Sequence, residues 1–237
     1  MSPLVDIHTH QHGLQAGCTG VVSLDITELF RSYGGDVDMV CKAVEDSGDY
    51  VSVGIHPWNA GDASEACFSL LQTVTERCPN VLLLGEAGLD KLRPVGLSLQ
   101  ENIFHLQVTL SEVCRKPMVI HCVRAVDELL RIRKTVCPRQ RWIIHGFRGK
   151  AEQAGQLLRA GLDISLGERF NPSALRAIPL ERLWLETDMA KTTISSVYSA
   201  VIQALGFSAE VLAEDVFRRF TQLTENNNSS LHHDSSL

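Results

Sequence analysis

The stretch V-L-L-L-G-E-A-G-L-D, residues 81–90, places the carboxylate of Glu86 directly after a short apolar run. Successive apolar residues are typical of a parallel strand that is buried on both faces. A carboxylate at the end of such a strand loses water on burial and therefore needs a partner. If Glu86 has a purely structural role, its partner is a neighbouring arginine or the start of the next helix. If it has a functional role, its partner is a metal ion.

The same arrangement recurs along the chain, because side chains that bind metals repeatedly end short apolar runs. These side chains are spread over about 180 residues, and in an α/β barrel the C-terminal strand ends converge on one mouth, where the chemistry is placed. The residues concerned are His8 and His10 in V-D-I-H-T-H, Glu86, His121 in P-M-V-I-H-C, His145 in R-W-I-I-H-G and Asp188 in L-W-L-E-T-D.

The alternation of short apolar runs with longer helical segments predicts a (β/α)8 TIM-type barrel of the α/β class. In an open doubly wound sheet the site would cluster at one switch point instead of drawing on strands along the whole chain. We expect a single domain over residues 1–222 and a polar, disordered tail over 223–237. The predicted strands lie near 3–8, 20–26, 50–55, 81–86, 117–121, 141–145, 162–166 and 182–187.

Composition narrows the class of protein. The 237 residues are 44% hydrophobic, and no apolar run approaches the roughly 20 residues of a membrane helix. The seven cysteines form no C-x-x-C pair, and the chain starts without a secretory leader, so we expect reduced thiols in a cytoplasmic protein. The net charge of -6 argues against broad attraction to nucleic acid, although a local site can still bind it.

The chemistry of the set favours metal binding. His8 and His10 are two residues apart on a strand, so their side chains point to the same face. Each member also has a structural interpretation: a hydrogen-bonded core histidine, or a helix N-cap for Asp188. Together, four histidines and two carboxylates form mixed N/O sites that suit two divalent ions, Mg²⁺, Mn²⁺ or Zn²⁺. Neither a G-x-S-x-G elbow nor a Walker loop is present.

In their order and spacing, these motifs resemble the TatD family of metal-dependent hydrolases, within the amidohydrolase-like superfamily. The resemblance runs from about residue 4 to residue 220 and includes Gln100, Phe104 and Gln107 in the helix before the His121 strand. The motifs that carry it are D-I-H-T-H, G-I-H-P, L-G-E-A-G-L-D, V-I-H-C-V-R-A, I-H-G-F-R-G and L-E-T-D.

The resemblance implies a ligand set and an activity. One ion would be bound by His8, His10, Glu86 and Asp188, and a second by His121 and His145 together with Glu86, which would bridge the two. It also implies a magnesium-dependent deoxyribonuclease that acts from the 3′ end of single strands.

Three departures from the family pattern lie on loops around the mouth, where substrates are chosen. The usual second histidine of G-x-H-P-H is replaced, so that His56 is followed by Trp58. Arg148 in H-G-F-R-G stands where a small hydroxyl is usual, and M-A-K-T-T follows Asp188 instead of a proline-containing stretch. We predict substrate contacts for His56, Trp58, Arg148 and Arg124, each of which also has a structural alternative in a turn, an aromatic lid or a salt bridge.

The predicted function is hydrolysis of phosphoester bonds by a metal-bound hydroxide, with Glu86 and Asp188 as catalytic residues. The protein would be a monomeric TatD-like 3′-5′ exonuclease acting on single-stranded DNA ends, or a hydrolase of a small phosphoester. Two alternatives stay open: a metal-dependent hydrolase of a small amide, lactone or carboxyl ester, and a metal-binding protein without turnover. The carboxylated lysine that often replaces Glu86 in amide-cleaving relatives is not evident here, which favours the phosphoesterase.

Overall fold

The structure, a computed structural model, describes residues 2–206 and 208–233. All eight strands that the sequence predicts are present, and they follow one another from β1 to β8 in one sheet. Every strand pair whose register is known is parallel. The strands are β1 Leu4–Thr9, β2 Cys18–Asp25, β3 Val51–Gly54, β4 Val81–Asp90, β5 Met118–Val123, β6 Trp142–Ile144, β7 Asp163–Leu166 and β8 Leu183–Leu185.

Helices alternate with these strands, which confirms the predicted (β/α)8 barrel class. The α-helices are α1 Ile26–Tyr33, α2 Val37–Asp46, α3 Glu65–Arg77, α4 Leu97–Cys114, α5 Val126–Val136, α6 Ala151–Arg159, α7 Pro172–Ala177, α8 Ile194–Leu205 and α9 Ala209–His233, with 3-10 helices at Pro57–Asp62 and Leu180–Arg182.

The chain divides into two compact units. Unit 1 contains the described parts of Met1–Val21 and Ile143–Leu237, and unit 2 contains Val22–Trp142. In unit 1 the first and last strands are neighbours, since Thr9 and Asp188 form a parallel bridge. Helix α9 covers residues 223–233, where the sequence predicted a disordered tail, and residues 234–237 lie outside the described residues. The single domain predicted for 1–222 stays a prediction.

The strands of unit 2 are buried on both faces, as their continuous apolar sequence predicts. Leu82, Leu83 and Leu84 of β4 are all inaccessible to solvent although successive side chains point to opposite faces. β4 is four residues longer than predicted because Ala87–Asp90 continues to pair with Ile120–Val123 of β5. This extension carries the strand past Glu86 to a second carboxylate, Asp90.

Local sequence signals fix the helix that follows β2. Asp25 is the N-cap of α1, where its carboxylate accepts hydrogen bonds from the backbone N–H groups of Thr27 and Glu28. Gly34 ends the helix with a left-handed backbone, φ 61°.

Across the part of the chain that the structure describes, no individual helix is long and apolar enough to cross a membrane. Only α8 and Ala209–Glu225 taken together have that length and apolar character, and the two are bent by 120° where they meet.

Candidate metal centre

In unit 2, three ring or carboxylate atoms form a close triangle; they come from β4, from β5 and from the segment directly after β3. His56 Nε2 lies 3.2 Å from His121 Nδ1 and 3.4 Å from Glu86 Oε2. The third side, from His121 Nδ1 to Glu86 Oε2, is 3.3 Å. The centre of such a triangle is about 1.9 Å from each corner, and zinc bonds to nitrogen and carboxylate oxygen are about 2.0–2.2 Å long. An ion slightly off the plane therefore fits the three donors.

The strands must approach closely for this triangle to form. Gly88 of β4 pairs with His121 of β5. A Cβ atom added to Gly88 would lie 2.0 Å from the carbonyl oxygen of His121, and the Gly88 backbone has φ 146°. Both observations require glycine at this position of G-E-A-G-L-D. The motif thus supplies the carboxylate of Glu86 and, through Gly88, the space that allows β5 to pack next to β4.

Asp90 supports the second nitrogen of His121. Its Oδ2 lies 3.3 Å from His121 Nε2 and accepts a hydrogen bond of 2.7 Å from the indole Nε1 of Trp58. Burial opposes ionisation of Asp90, but the hydrogen bonds from Trp58, from the backbone N–H of Leu92 and from His121 outweigh it and lower the pKa of this carboxyl. Asp90 is thus an ionised acceptor next to the imidazole.

Sequence analysis did not single out Asp90 as a functional residue. The signal was present, because Glu86, Gly88 and Asp90 alternate along one strand and so lie on the same face. The predicted strand ended at residue 86, so it did not include Asp90.

Two buried glutamines of α4 fix the backbone at these strand ends. The Gln107 side chain accepts a hydrogen bond from Ile55 N at 2.8 Å and donates one to Ile55 O at 3.0 Å. Gln100 does the same for Asp90, with 2.7 Å to its N and 3.0 Å to its O. Gln107 therefore positions the residue before His56, and Gln100 positions Asp90 itself.

In unit 1, the histidine pair lies beside Asp188. His8 Nε2 and His10 Nε2 are each 3.7 Å from Asp188 Oδ1. Backbone hydrogen bonds fix this arrangement, from Asp188 N to His8 O and from His10 N to Asp188 O. Asp188 is not a helix N-cap, because Thr193 caps α8 and Asp188 has a left-handed backbone with φ 51°. The structure thus brings together three of the predicted ligands.

His145 packs against His8, and Glu186 lies next to His145. The rings of His8 and His145 are 4.5 Å apart, and His145 Nδ1 is 3.7 Å from Glu186 Oε1. The carboxylate of Glu186 also accepts a hydrogen bond from Gly146 N at 2.5 Å. Donor atoms of His145, Glu186 and Asp188 lie within 4.8 Å of one another. Glu186 therefore belongs to this group of possible metal ligands. The sequence predicted only that Glu186 lies on the same face as Asp188.

Glu186 is ionised although it is completely buried. Burial raises its pKa, but the charges of His145 and His8 and the nearby polar groups of His145 and Ser165 together lower the pKa further than burial raises it. A buried carboxylate that stays charged needs positive charge nearby. The group of histidines, or an ion that they share, supplies it.

Thr187, between the two acids, is held by Asp6. Oδ1 of Asp6 accepts a hydrogen bond from Thr187 N at 3.0 Å, and Oδ2 accepts one from Thr187 Oγ1 at 2.6 Å. Burial raises the pKa of Asp6 to about 7 despite these hydrogen bonds. Asp6 thus fixes the backbone between Glu186 and Asp188.

An open cavity of about 710 Å³ adjoins the acids of unit 1. Arg148, a predicted substrate contact, lines it together with Lys191 and with Arg169, whose Nε lies 3.3 Å from the carboxylate of Glu168 in the same lining. Arg124, another predicted contact, follows β5 with an exposed side chain and φ 53°. The charges of Arg148 and Lys191 beside a group of metal-type donors suit an anionic substrate.

The donors of both units are nitrogen and carboxylate oxygen only, which is the chemistry of Zn²⁺, Mn²⁺ and Mg²⁺ sites. Each unit contains at least one group of three or more side chains able to hold a divalent ion.

Comparison with known proteins gives a consistent picture. Residues 6–231 match the family model described as TatD related DNase. The chain is 32% identical over 152 residues to "3'-5' ssDNA/RNA exonuclease TatD" of Klebsiella pneumoniae, covering 60% of this chain and 57% of that protein. It is 30% identical over 149 residues to the "Uncharacterized metal-dependent hydrolase YjjV" of Escherichia coli, covering 59% of this chain and 57% of that protein.

A solved structure shows the same fold. The crystal structure of YjjV from Escherichia coli superposes with a TM-score of 0.76, covering 96% of this chain and 97% of that one, at 21% identity. The matches to the two curated relatives span 57% of their length, so their activities are not transferred by identity alone.

Proposed function

Since the chain belongs to the family of TatD related DNases, we propose that it is a divalent-metal-dependent phosphodiesterase that shortens single-stranded nucleic acid from the 3′ end. The observation that carries this proposal is the triangle of His56, Glu86 and His121, whose dimensions fit a divalent ion. The name of the Klebsiella relative, an exonuclease of single-stranded DNA and RNA, supports the choice of substrate.

We infer that the ligands follow the family pattern: His8, His10, Glu86 and Asp188 for one ion, and Glu86, His121 and His145 for the other. The barrel fold supports this assignment, because the C-terminal ends of its strands face the same mouth. Within unit 2, His56 Nε2 is close enough to serve as an additional ligand, which would require the ring proton to move to Nδ1 and would break the hydrogen bond that Nδ1 accepts from Trp58 N. The contacts within unit 1 favour Glu186 as the carboxylate that orients His145.

Divalent ions in such a site lower the pKa of bound water and neutralise charge that develops on phosphate oxygens. The protein's own side chains have separate tasks. Asp188 Oδ1, 28% exposed as a side chain, is the accessible carboxylate oxygen that accepts a proton from the attacking water. Arg148 and Lys191 in the cavity wall bind the substrate's phosphate oxygens by charge-assisted hydrogen bonds. Asp90 keeps the Nε2 side of His121 occupied, so that Nδ1 faces Glu86.

The test is hydrolysis of a single-stranded oligonucleotide carrying a label at its 5′ end, so that a 3′ exonuclease produces a ladder. Metal-free protein is titrated separately with Mg²⁺, Mn²⁺ and Zn²⁺. The ladder should require metal and should disappear in Glu86→Ala but not in Glu76→Ala, a matched change on the exposed face of α3. Bound metal with no cleavage, and turnover only on lactones or amides, would overturn the proposal in favour of a carboxyl-group hydrolase.

A monomeric state and a cytoplasmic location remain part of the proposal. Sedimentation of the purified chain tests the first, and fractionation of cells that produce the tagged chain tests the second.

A further inference from the structure

Arg93 lies flat on the indole ring of Trp58, next to the triangle of donors. Its Cζ atom is 3.4 Å from the ring centroid. A guanidinium standing on edge at that distance would bring a nitrogen to less than about 3 Å from the ring, because its C–N bonds are about 1.3 Å long. The guanidinium plane is therefore roughly parallel to the indole, and its outer face is directed away from Trp58.

Trp58 is itself held in place and cannot turn freely. Its Nε1 donates to Asp90 Oδ2 at 2.7 Å, and its backbone N–H donates to His56 Nδ1 at 3.2 Å. The His56 ring packs against the indole in an edge-to-face contact, with centroids 4.8 Å apart. Trp58 is thus a rigid support whose position is fixed by two side chains that also contact His121.

Pairing with Asp90 does not account for the position of Arg93. The Nε–Oδ2 distance is 4.0 Å, a single contact at the limit of an ion pair, and no other carboxylate within 2–206 and 208–233 comes as near to this guanidinium. Asp90 Oδ2 already accepts from Trp58 and faces His121. The side chain of Arg93 is 42% exposed, so its guanidinium N–H groups are accessible to an incoming anion.

We propose that Arg93, supported by Trp58, binds a backbone phosphate of the single-stranded substrate next to the phosphodiester that is cleaved. This inference rests on the proposed function and names the residue that selects a nucleic-acid chain over a small ester. Guanidinium is suited to this role because its planar fork of donors matches two phosphate oxygens, and stacking on an aromatic ring keeps the fork in one orientation. The tryptophan that replaces the family's second histidine supplies the stacking surface.

The test uses the salt dependence of binding, which counts phosphate contacts. Metal-free protein in chelator binds a 12-nucleotide oligothymidylate without cleaving it, and affinity is measured by anisotropy at several salt concentrations. For single strands, the slope of log K against log salt is about -0.7 per neutralised phosphate. Arg93→Gln should make the slope less steep by about 0.7 and lower the affinity on the order of tenfold at low salt.

Arg77→Gln is the matched control. Arg77 lies at the C-terminal end of α3, before β4 begins, whereas Arg93 follows the end of β4. This control should keep the wild-type slope. Arg93→Lys should restore most of the slope, because it restores the charge. Trp58→Leu should weaken binding more than Trp58→Phe, which keeps a ring beneath the guanidinium.

Intrinsic fluorescence gives a second readout. Trp142 and Trp184 are completely buried, whereas Trp58 is 42% exposed, so quenching by iodide reports mainly on Trp58. Oligonucleotide should protect Trp58 from iodide in the wild type but not in Arg93→Gln.

These outcomes separate the inference from the proposed function. An Arg93→Gln slope equal to that of Arg77→Gln overturns the inference even if the wild type degrades DNA. A changed slope in a protein that hydrolyses no nucleic acid supports the inference and overturns the proposed activity. Absence of saturable binding at low salt overturns the inference.

Discussion

His121 Nε2 lies 3.3 Å from Oδ2 of Asp90, on the opposite side of the imidazole ring from the nitrogen that faces Glu86. An ionised carboxylate at this position stabilises a proton on Nε2. Nδ1 then carries its lone pair towards Glu86 and is ready to bind a metal ion. Carboxylate–histidine pairs of this kind orient ligands in metal sites and raise their basicity.

Replacing Asp90 with Asn should weaken metal binding by about 10- to 100-fold, the usual loss for such a partner. Competition with a fluorescent chelator measures the affinity. Asp38→Asn, on the exposed surface of α2, serves as the control and should keep wild-type affinity. Equal affinities for the two variants would contradict the orienting role.

His56→Gln separates two roles for His56. If His56 is a metal ligand, as the 3.2–3.4 Å distances indicate, the variant should bind metal more weakly, and added metal should recover part of its activity. If it contacts only substrate, as the sequence predicted, KM should rise with metal affinity unchanged. His105→Gln on α4 is the control, and equilibrium dialysis of both variants against Zn²⁺ or Mn²⁺ decides between the two roles.

Glu186→Gln should lower metal affinity and kcat on the order of tenfold or more, because His145 loses the charged partner 3.7 Å from its Nδ1. The amide can still accept the hydrogen bond from Gly146 N, which limits structural damage. Glu181→Gln, exposed in the 3-10 helix before β8, is the matched change. Wild-type affinity in Glu186→Gln would show that the carboxylate only satisfies the backbone.

Arg148→Ala and Lys191→Ala should raise KM for an oligonucleotide by about tenfold each and leave metal affinity unchanged, since both residues line the cavity without joining the donor groups. Steady-state kinetics at saturating metal measure the effect. Arg176→Ala, exposed on α7 outside the cavity lining, should behave as wild type. An equal KM in all four proteins would place the substrate elsewhere.

Lys116 makes stability depend on pH. It is buried, its Nζ donates to Val81 O at 2.6 Å, and burial lowers its pKa from 10.5 to about 8. Between pH 8 and 10.5 the unfolded chain therefore holds this proton more tightly than the folded protein, so the lysine's contribution to folding stability rises with pH there, by up to about 3 kcal/mol.

In Lys116→Met this rise should be absent. Urea unfolding of both proteins from pH 7 to 10 measures it, and the comparison removes most of the effect of the thiols, which both proteins share. A difference that does not change with pH would mean that Lys116 keeps its proton in the folded state.

The fold could be predicted from the sequence because most of the strands are near-continuous apolar runs. Val81–Leu84 shows the reason: all four residues are buried, because both faces of the strand are covered. Such an uninterrupted apolar run is not mistaken for a polar loop. Strand ends were less predictable. β4 reaches Asp90 because of pairing with β5, and such pairing partners are distant in sequence.

The candidate site was predictable where residue type and strand position coincide, as for His8, His10 and Asp188, which the structure brings together. Features that depend on the three-dimensional arrangement of distant segments were not predictable from the sequence. Nothing in L-E-T-D states that Asp188 adopts a left-handed backbone, or that Glu186 reaches the histidine after β6. The position of Arg93 was not predictable either, because its stack on Trp58 requires the 3-10 helix after β3 and the segment after β4 to meet.

The two glutamines of α4 restrict where insertions and deletions can be tolerated as this sequence evolves. Gln100 and Gln107 are separated by two helical turns, which is about 10.5 Å along the helix. Each is hydrogen-bonded to the backbone at a different strand end. The helix thus acts as a spacer of fixed length. A one-residue insertion between them would rotate one amide by about 100° and release its strand end. Length variation should therefore accumulate in the loops and be excluded from these two turns.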